Sequence, residues 1–200
     1  MSKTGFAISF VALSYLWLVA AVAIGGATYP DYSHSSQFMS ELGATGAPFG
    51  AAVNLWGFAM VELLLLPCLV ICFSHLMRCR AERFGLAIFA GYPILIAVAA
   101  FFPCDFECSA ADPTQSQLIH MAASFFAYFC AVVGLSILSG AVYERPFWIL
   151  PCLILMAMLF SLSIETAFSG LMQRALETGI YLWFFVILMR TRHHKKEQAA

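Results

Sequence analysis

The repetition of long apolar runs constrains this chain more than any other feature. Six segments, roughly 6–24, 50–73, 84–102, 117–138, 147–168 and 171–189, approach or exceed the ~20 residues that a helix needs to cross a hydrocarbon core. Hydrophobic residues make up 62% of the 200 positions and charged residues 10%. A soluble domain of this size cannot hide so much apolar surface, so the solvent is lipid. Lipid offers the backbone no hydrogen bonds, and apolar runs of this length must be helical to supply their own. The expectation is an all-α, polytopic membrane protein: one six-helix transmembrane domain over 1–200, with a basic tail at 190–200. The first run is preceded by Lys3, and Ala21-Val22-Ala23 resembles a signal-peptide cleavage site. It is nevertheless read as an uncleaved span, because it is longer than the ~7–15 apolar residues of a signal peptide.

Basic residues orient the spans. With a cytoplasmic N-terminus, Lys3, Arg78, Arg80, Arg83, Arg145, Arg190, Arg192, Lys195 and Lys196 all fall inside, and only Arg174 falls outside. The outer side receives Asp31, Glu41, Asp105, Glu107, Asp112, Glu165 and Glu177. Both termini are therefore expected in the cytoplasm. The tail containing His193 and His194 reads as a basic anchor, not a metal site. No basic surface interleaved with aromatics is present, so nucleic acid is not an expected partner.

Between the first two runs lies a polar island, Tyr29 to Ala44, rich in hydroxyls and carrying His34, Gln37 and Glu41. Gly25, Gly26 and Pro30 break the first helix. Ser33 can cap a short second one that Gly43 would end. This is expected to be an extracytoplasmic interfacial helix with His34, Gln37 and Glu41 on one face. In the second run, Glu62 falls near the bilayer centre, about 18 Å along the helix from Gly50. Its bland reading is a neutral carboxyl bonded to a neighbouring helix; the sharper one is a proton relay.

The loop Cys104-Asp105-Phe106-Glu107-Cys108 is expected to close a disulfide, because its compartment is oxidising and no further cysteine or histidine pair completes a zinc signature. Asp112 is a plausible N-cap for the fourth run, followed by Pro113 at N1. Ser116, Gln117, His120 and Ser124 then form one polar stripe. Near the outer ends of the last two runs lie Glu165, Gln173, Arg174 and Glu177. Arg174 and Glu177 have the i, i+3 spacing of a helical ion pair.

The topology brings these scattered polar residues to one depth on one side. The candidate catalytic groups are His34, Glu41, Asp105 and His120. The candidate substrate-binding groups are Gln37, Gln117, Glu165, Gln173, Arg174 and Glu177. Polar packing at helix ends is the competing explanation. A lipid-phosphatase site lacks its Arg and His constellation, a bis-histidine haem pair lacks matched histidines, and a rhomboid-like dyad lacks its Gly-x-Ser-x context. No cofactor is expected. The one metal alternative, a zinc-dependent lipid amidase related to ceramidases, would need His34, His120 and a carboxylate.

Tyr29-Pro30-x-Tyr32-Ser33-x-x-Ser36-Gln37-x-x-Ser40-Glu41-Leu42-Gly43-Ala44, Phe102-Pro103-Cys104-Asp105 with Cys108, and Ser116-Gln117-Leu118-Ile119-His120 together resemble a bacterial and archaeal six-span family, domain of unknown function 998. The resemblance covers nearly the whole chain, and Ser40-Glu41-Leu42-Gly43-Ala44 is its most specific part. It implies a multi-pass protein of the cell (inner) membrane and a shared pattern that includes His34, Glu41, Asp105 and His120. It carries no reaction or substrate.

Three function classes remain. The first is an external polar pocket that binds or processes a lipid or lipid-linked molecule, with Arg174 taking an anionic group and His34 or His120 serving as acid or base. The second is a small proton-coupled carrier using Glu62. The third is a non-catalytic scaffold or assembly factor. Membrane lipids are the expected partners in each.

Overall fold

The computed structural model describes residues 2–109, 111–162 and 166–197, with side chains as far as Thr191. The described residues are helical and contain no strand. Helix α1 spans Lys3–Thr28 and begins where the Ser2 hydroxyl accepts the Gly5 N–H at 3.1 Å. Helix α2 spans Gly50–Leu76, α3 Arg80–Phe101, α4 Gln115–Val142, and α6 Ser169–Glu197, of which Ser169–Thr191 is the apolar part. These five helices are long and apolar enough to cross a membrane. Between α4 and α6, a 3₁₀ turn at Pro146–Trp148 leads into α5, Ile149–Ser161.

The fifth run is thus shorter as a helix than its apolar length promises. Pro146–Ser161 is an apolar helical stretch with a length of about 24 Å, against a core of about 30 Å. Residues 163–165, at the end of that run, lie outside the described part.

Two helices depart from ideal geometry for identifiable reasons. Helix α3 is offset at Ala90, between Arg80–Phe89 and Gly91–Phe101. Pro93 has no N–H to give the Phe89 carbonyl, so the ladder is interrupted there. Helix α2 contains two wide π stretches, Val53–Ala59 and Cys72–Leu76, on either side of the regular turns Met60–Ile71. The first lets Asn54 face the preceding loop and donate its amide to the Gly43 carbonyl at 2.8 Å. Such bulges recur at functional sites.

Helices α3 and α4 touch backbone to backbone. A Cβ on Gly134 would lie 2.5 Å from the Phe89 nitrogen, and one on Gly85 would lie 2.8 Å from the Leu138 nitrogen. Small residues at a helix crossing permit this approach in lipid, where packing replaces the hydrophobic drive. Phe89, Phe184, Tyr92 and Tyr128 fill the centre of the bundle, with Phe89 and Phe184 ring centroids 4.5 Å apart. Leu16, Ile24, Trp56, Leu63, Val70, Phe101 and Leu150 face outward, while Ser14, Glu62, Gln117, Gln173 and Glu177 are buried. An exposed apolar shell around a partly polar interior is what a lipid solvent selects.

One end of the bundle is basic. There Lys3 Nζ meets His75 Nδ1 at 3.3 Å, and Arg78, Glu82, Tyr143, Glu144 and Thr191 line a common hollow. At the other end the Tyr29–Ala44 segment, the Cys104–Cys108 loop and the start of α6 meet. Leu171 N–H donates to the Ser35 carbonyl at 2.9 Å, and Thr45 N–H donates to the Cys104 carbonyl at 2.8 Å.

Candidate functional site

The polar island folds as a tight loop followed by a 3₁₀ turn at Met39–Gly43, shorter than the helix expected from Ser33. Its side chains take the hydrogen bonds that a helix would have used. Asp31 turns the chain with a left-handed φ of 57°. The Gln37 side-chain oxygen accepts the Ser33 N–H at 2.8 Å. The Glu41 carboxylate accepts the Phe38 N–H at 2.7 Å and the Gln37 amide at 2.8 Å. Such side-chain-to-backbone bonds compete directly with helix formation. Burial raises the Glu41 carboxyl above its ordinary range, opposed by the Gln37 and Phe38 donors. Glu41 is committed to shaping this loop.

Arg174 of α6 joins the loop to the bundle. One terminal nitrogen donates to the Gln37 carbonyl at 3.0 Å and to Gly170 O at 2.8 Å; the other donates to Tyr32 Oη at 2.6 Å and His34 Nδ1 at 3.1 Å. The guanidinium also lies over the Tyr32 ring, 5.7 Å from its centroid. Burial and then the Arg174 charge lower the His34 imidazole below its usual range, so its Nδ1 accepts from the arginine. Burial also raises the Tyr32 phenol, with Arg174 opposing. Every hydrogen-bond partner of Arg174 among the described residues is uncharged, and its Nε is buried with no partner. The expected ion pair with Glu177 is absent, because the arginine reaches toward the loop while Glu177 turns inward.

Beside Arg174, between α1 and α6, runs a groove of about 290 Å³ lined by Tyr15, Leu18, Val19, Val22, Ala23, His34, Met39, Arg174, Glu177 and Thr178. Tyr15 Oη meets Thr178 Oγ1 at 2.9 Å on its wall. The groove therefore combines an apolar strip, two hydroxyls, the Glu177 carboxyl group and a guanidinium that no carboxylate among the described residues hydrogen-bonds.

Deeper in the bundle, Glu177 accepts hydrogen bonds from the hydroxyls of Tyr92 and, at 2.9 Å, Tyr128. Gln173 bridges outward by donating to Tyr128 Oη at 3.3 Å and accepting the Met39 N–H at 2.6 Å. Asn54, Glu62, His120, Ser124, Tyr128, Gln173 and Glu177 surround a small cavity of about 40 Å³, large enough for water. Glu62 is 4% exposed, and its Oε2 has no partner. Tyr92 and Tyr128 were missed by sequence reasoning because tyrosine counts as apolar in a span. The available signal was that buried carboxylates on helices require donors.

The remaining candidates organise the third loop. Asp105 accepts the Thr114 N–H at 2.9 Å and its hydroxyl at 2.7 Å, and Thr114, not Asp112, caps α4. Thr114 lies directly before Gln115 and its hydroxyl accepts the Gln117 N–H at 3.2 Å, while Asp105 from the preceding loop holds Thr114 in place. Gln117 accepts the Asp105 N–H at 2.8 Å and donates to the Cys108 carbonyl at 2.9 Å. Cys104 and Cys108 are joined in a disulfide.

The sequence candidates therefore form three adjoining groups. His34, Gln37 and Arg174 meet at the groove, with Glu41 behind Gln37. Gln173, Glu177, Glu62 and His120 surround the inner cavity. Asp105 and Gln117 hold the disulfide loop. Glu165 lies outside the described residues. His34 and His120 have separate partners: His120 Nδ1 lies 2.9 Å from Ala99 O and 3.0 Å from Phe102 O.

From residue 12 to residue 190 the chain matches a family described as protein of unknown function (DUF998). The chain belongs to this family. No curated protein and no solved structure matches it. Membership, together with the apolar helices, marks it as an integral, multi-pass membrane protein of an uncharacterised family.

Proposed function

We propose that this protein binds the headgroup of an anionic lipid in the outer leaflet, with the phosphate at Arg174 and an acyl chain along the groove between α1 and α6. The chain crosses the cell membrane six times in this reading, with the basic end and both termini in the cytoplasm. The Tyr29–Ala44 segment covers the headgroup site from outside.

The single observation that carries the reading is that Arg174 hydrogen-bonds only uncharged groups and keeps a buried Nε with no partner. A partly buried cation beside an apolar groove is costly unless an anion completes it. The loop carbonyls, Tyr32 and neutral His34 orient the guanidinium without neutralising it. A planar guanidinium suits phosphate better than an ammonium would. Thr178 and Tyr15 add hydroxyls to the same groove, where they would meet glycerol or ester oxygens.

Native mass spectrometry of the protein released from membranes containing phosphatidylglycerol and phosphatidylcholine tests this. The wild type is expected to retain phosphatidylglycerol selectively, and Arg174→Gln to lose that preference by about tenfold or more, or ~1.4 kcal/mol. Equal retention by both proteins would remove the reading.

A second reading rests on Glu62, whose unpartnered oxygen lies between the inner cavity and an outer groove of about 440 Å³ formed with Pro93, Ile94 and Phe101. In this reading Glu62 carries a proton across the middle of the membrane. Proton flux into liposomes that is abolished by Glu62→Gln and unaffected by Arg174→Gln would favour it over the lipid site.

A further inference from the structure

The loop between α3 and α4 holds chemistry that lipid binding does not use. Cys104 and Cys108 close a five-residue ring that is held by further bonds besides the sulfur bridge. Gln117 clamps the backbone at Asp105 and Cys108, Thr45 N–H holds the Cys104 carbonyl at 2.8 Å, and Ser116 donates to Pro103 O at 2.7 Å. Within the ring, Glu107 and Cys108 both take left-handed φ values, 56° and 50°. Two successive non-glycine residues in that region mark a tightly constrained turn.

Three features around the sulfurs suit turnover. A ring nitrogen of His120 and both sulfur atoms lie within 4.8 Å of one another. His120 Nδ1 sits between two backbone carbonyls, at 2.9 and 3.0 Å, so it is the protonated nitrogen, and Nε2 is left to gain or lose a proton. Ser40 supplies partners for the reduced sulfurs: its hydroxyl lies 3.5 Å from Cys108 Sγ and its carbonyl 3.8 Å from Cys104 Sγ. The two cysteines are also unequal, Cys104 being fully buried and Cys108 partly exposed.

We infer that Cys104 and Cys108 form a redox-active pair, served by His120, that exchanges two electrons with a dithiol or disulfide partner. A partner thiolate attacks the accessible Cys108 sulfur. The Cys104–Cys108 bond breaks, a mixed disulfide forms at Cys108, and Cys104 leaves as a thiolate that takes a proton from the His120 imidazolium. The partner's second thiol, after losing its proton, attacks its own sulfur in the mixed disulfide and releases Cys108. The net change is one protein disulfide reduced to two thiols and one partner dithiol oxidised to a disulfide. In reverse, Cys108 attacks a partner disulfide, and His120 removes the proton from Cys104 so that it can resolve the intermediate. This activity stands apart from the lipid site and survives if that site fails.

The test uses full-length protein in detergent, dithiothreitol at pH 7, rapid thiol capture with N-ethylmaleimide, and mass spectrometry of the peptide carrying Cys104 and Cys108. The folded wild type is expected to be reduced faster than the same chain unfolded in dodecyl sulfate. His120→Gln is expected to slow reduction about tenfold or more, the low end of what a positioned acid contributes. Gln117→Ala loosens the loop but keeps His120, so it is expected to react no more slowly than wild type. The two variants therefore separate proton transfer from simple support, because a weakened clamp exposes the bridge and speeds its reduction. Reduction of the folded protein more slowly than the unfolded chain would overturn the inference. So would a His120→Gln rate equal to or above wild type. If His120→Gln fails to fold, the folded-against-unfolded comparison decides alone.

Discussion

Gly170→Ala is a sharp test of how the polar island is docked, because two physical effects predict opposite signs. Gly170 is the second residue of α6, where alanine improves helix propensity by up to about 1 kcal/mol. The new Cβ, however, would lie 2.1 Å from the Gln37 carbonyl oxygen and 2.9 Å from an Arg174 terminal nitrogen. The loop must move away, and three hydrogen bonds go with it: Gly170 N–H to Ser36 O at 3.3 Å, Leu171 N–H to Ser35 O at 2.9 Å, and Arg174 to Gln37 O at 3.0 Å. Two neutral bonds at about 1 kcal/mol each and one charged bond at about 1.5–3 kcal/mol total roughly 3.5–5 kcal/mol. Subtracting the propensity gain leaves a loss of about 3 kcal/mol, or roughly 6–12 °C in Tm for a chain of this size. Thermal unfolding in detergent measures the shift, and hydrogen exchange over residues 35–41 should rise with it. A Tm at or above wild type would show that the loop is not held on α6 as described.

Other expectations are independent of that contact. Gly134→Val should prevent the close crossing of α3 and α4, since even a Cβ would lie 2.5 Å from the Phe89 nitrogen; loss of monodisperse protein on size exclusion checks this. Tyr128→Phe should cost about 1–3 kcal/mol by removing a donor to buried Glu177 and an acceptor for Gln173, read as a lower Tm. His34 has a pKa below the ordinary 6.5, so the folded state resists its protonation more than the unfolded state does. The docked loop should therefore hold above pH 6.5 and loosen as pH falls below that value toward the folded pKa; hydrogen exchange at residues 32–38 should show this, and His34→Gln should flatten the dependence.

Much of the fold is written in apolar length, and its departures come from what length does not record. The runs at 6–24, 50–73, 84–102, 117–138 and 171–189 all become long helices because uninterrupted hydrocarbon in lipid has one economical backbone solution. The run at 147–168 becomes a shorter helix, described from Pro146 to Ser161. The interfacial helix gave way to a loop because Gln37 and Glu41 are as able to bond the backbone as to face outward, and helical spacing cannot distinguish the two. The site was legible as a list of residue types at one end of the bundle, not as pairings. Arg174 and Glu177 have ion-pair spacing, yet the arginine finds loop carbonyls and the carboxylate finds Tyr92 and Tyr128. Those partners come from more than 45 positions away in sequence, beyond what local spacing reports. Asp105 was marked as chemical and serves as the anchor for the start of α4.

The most direct test of the lipid site is where a lipid sits. Phosphatidylglycerol carrying a photoreactive group in its acyl chain can be cross-linked to the protein in liposomes and the labelled peptides mapped. The account predicts labelling concentrated on residues 18–23 of α1 and around Thr178 of α6, competed by unlabelled phosphatidylglycerol but not by phosphatidylcholine, and lost in Arg174→Gln. Labelling spread evenly over other outward faces, such as those of Leu63 and Leu153, and indifferent to Arg174, would contradict it.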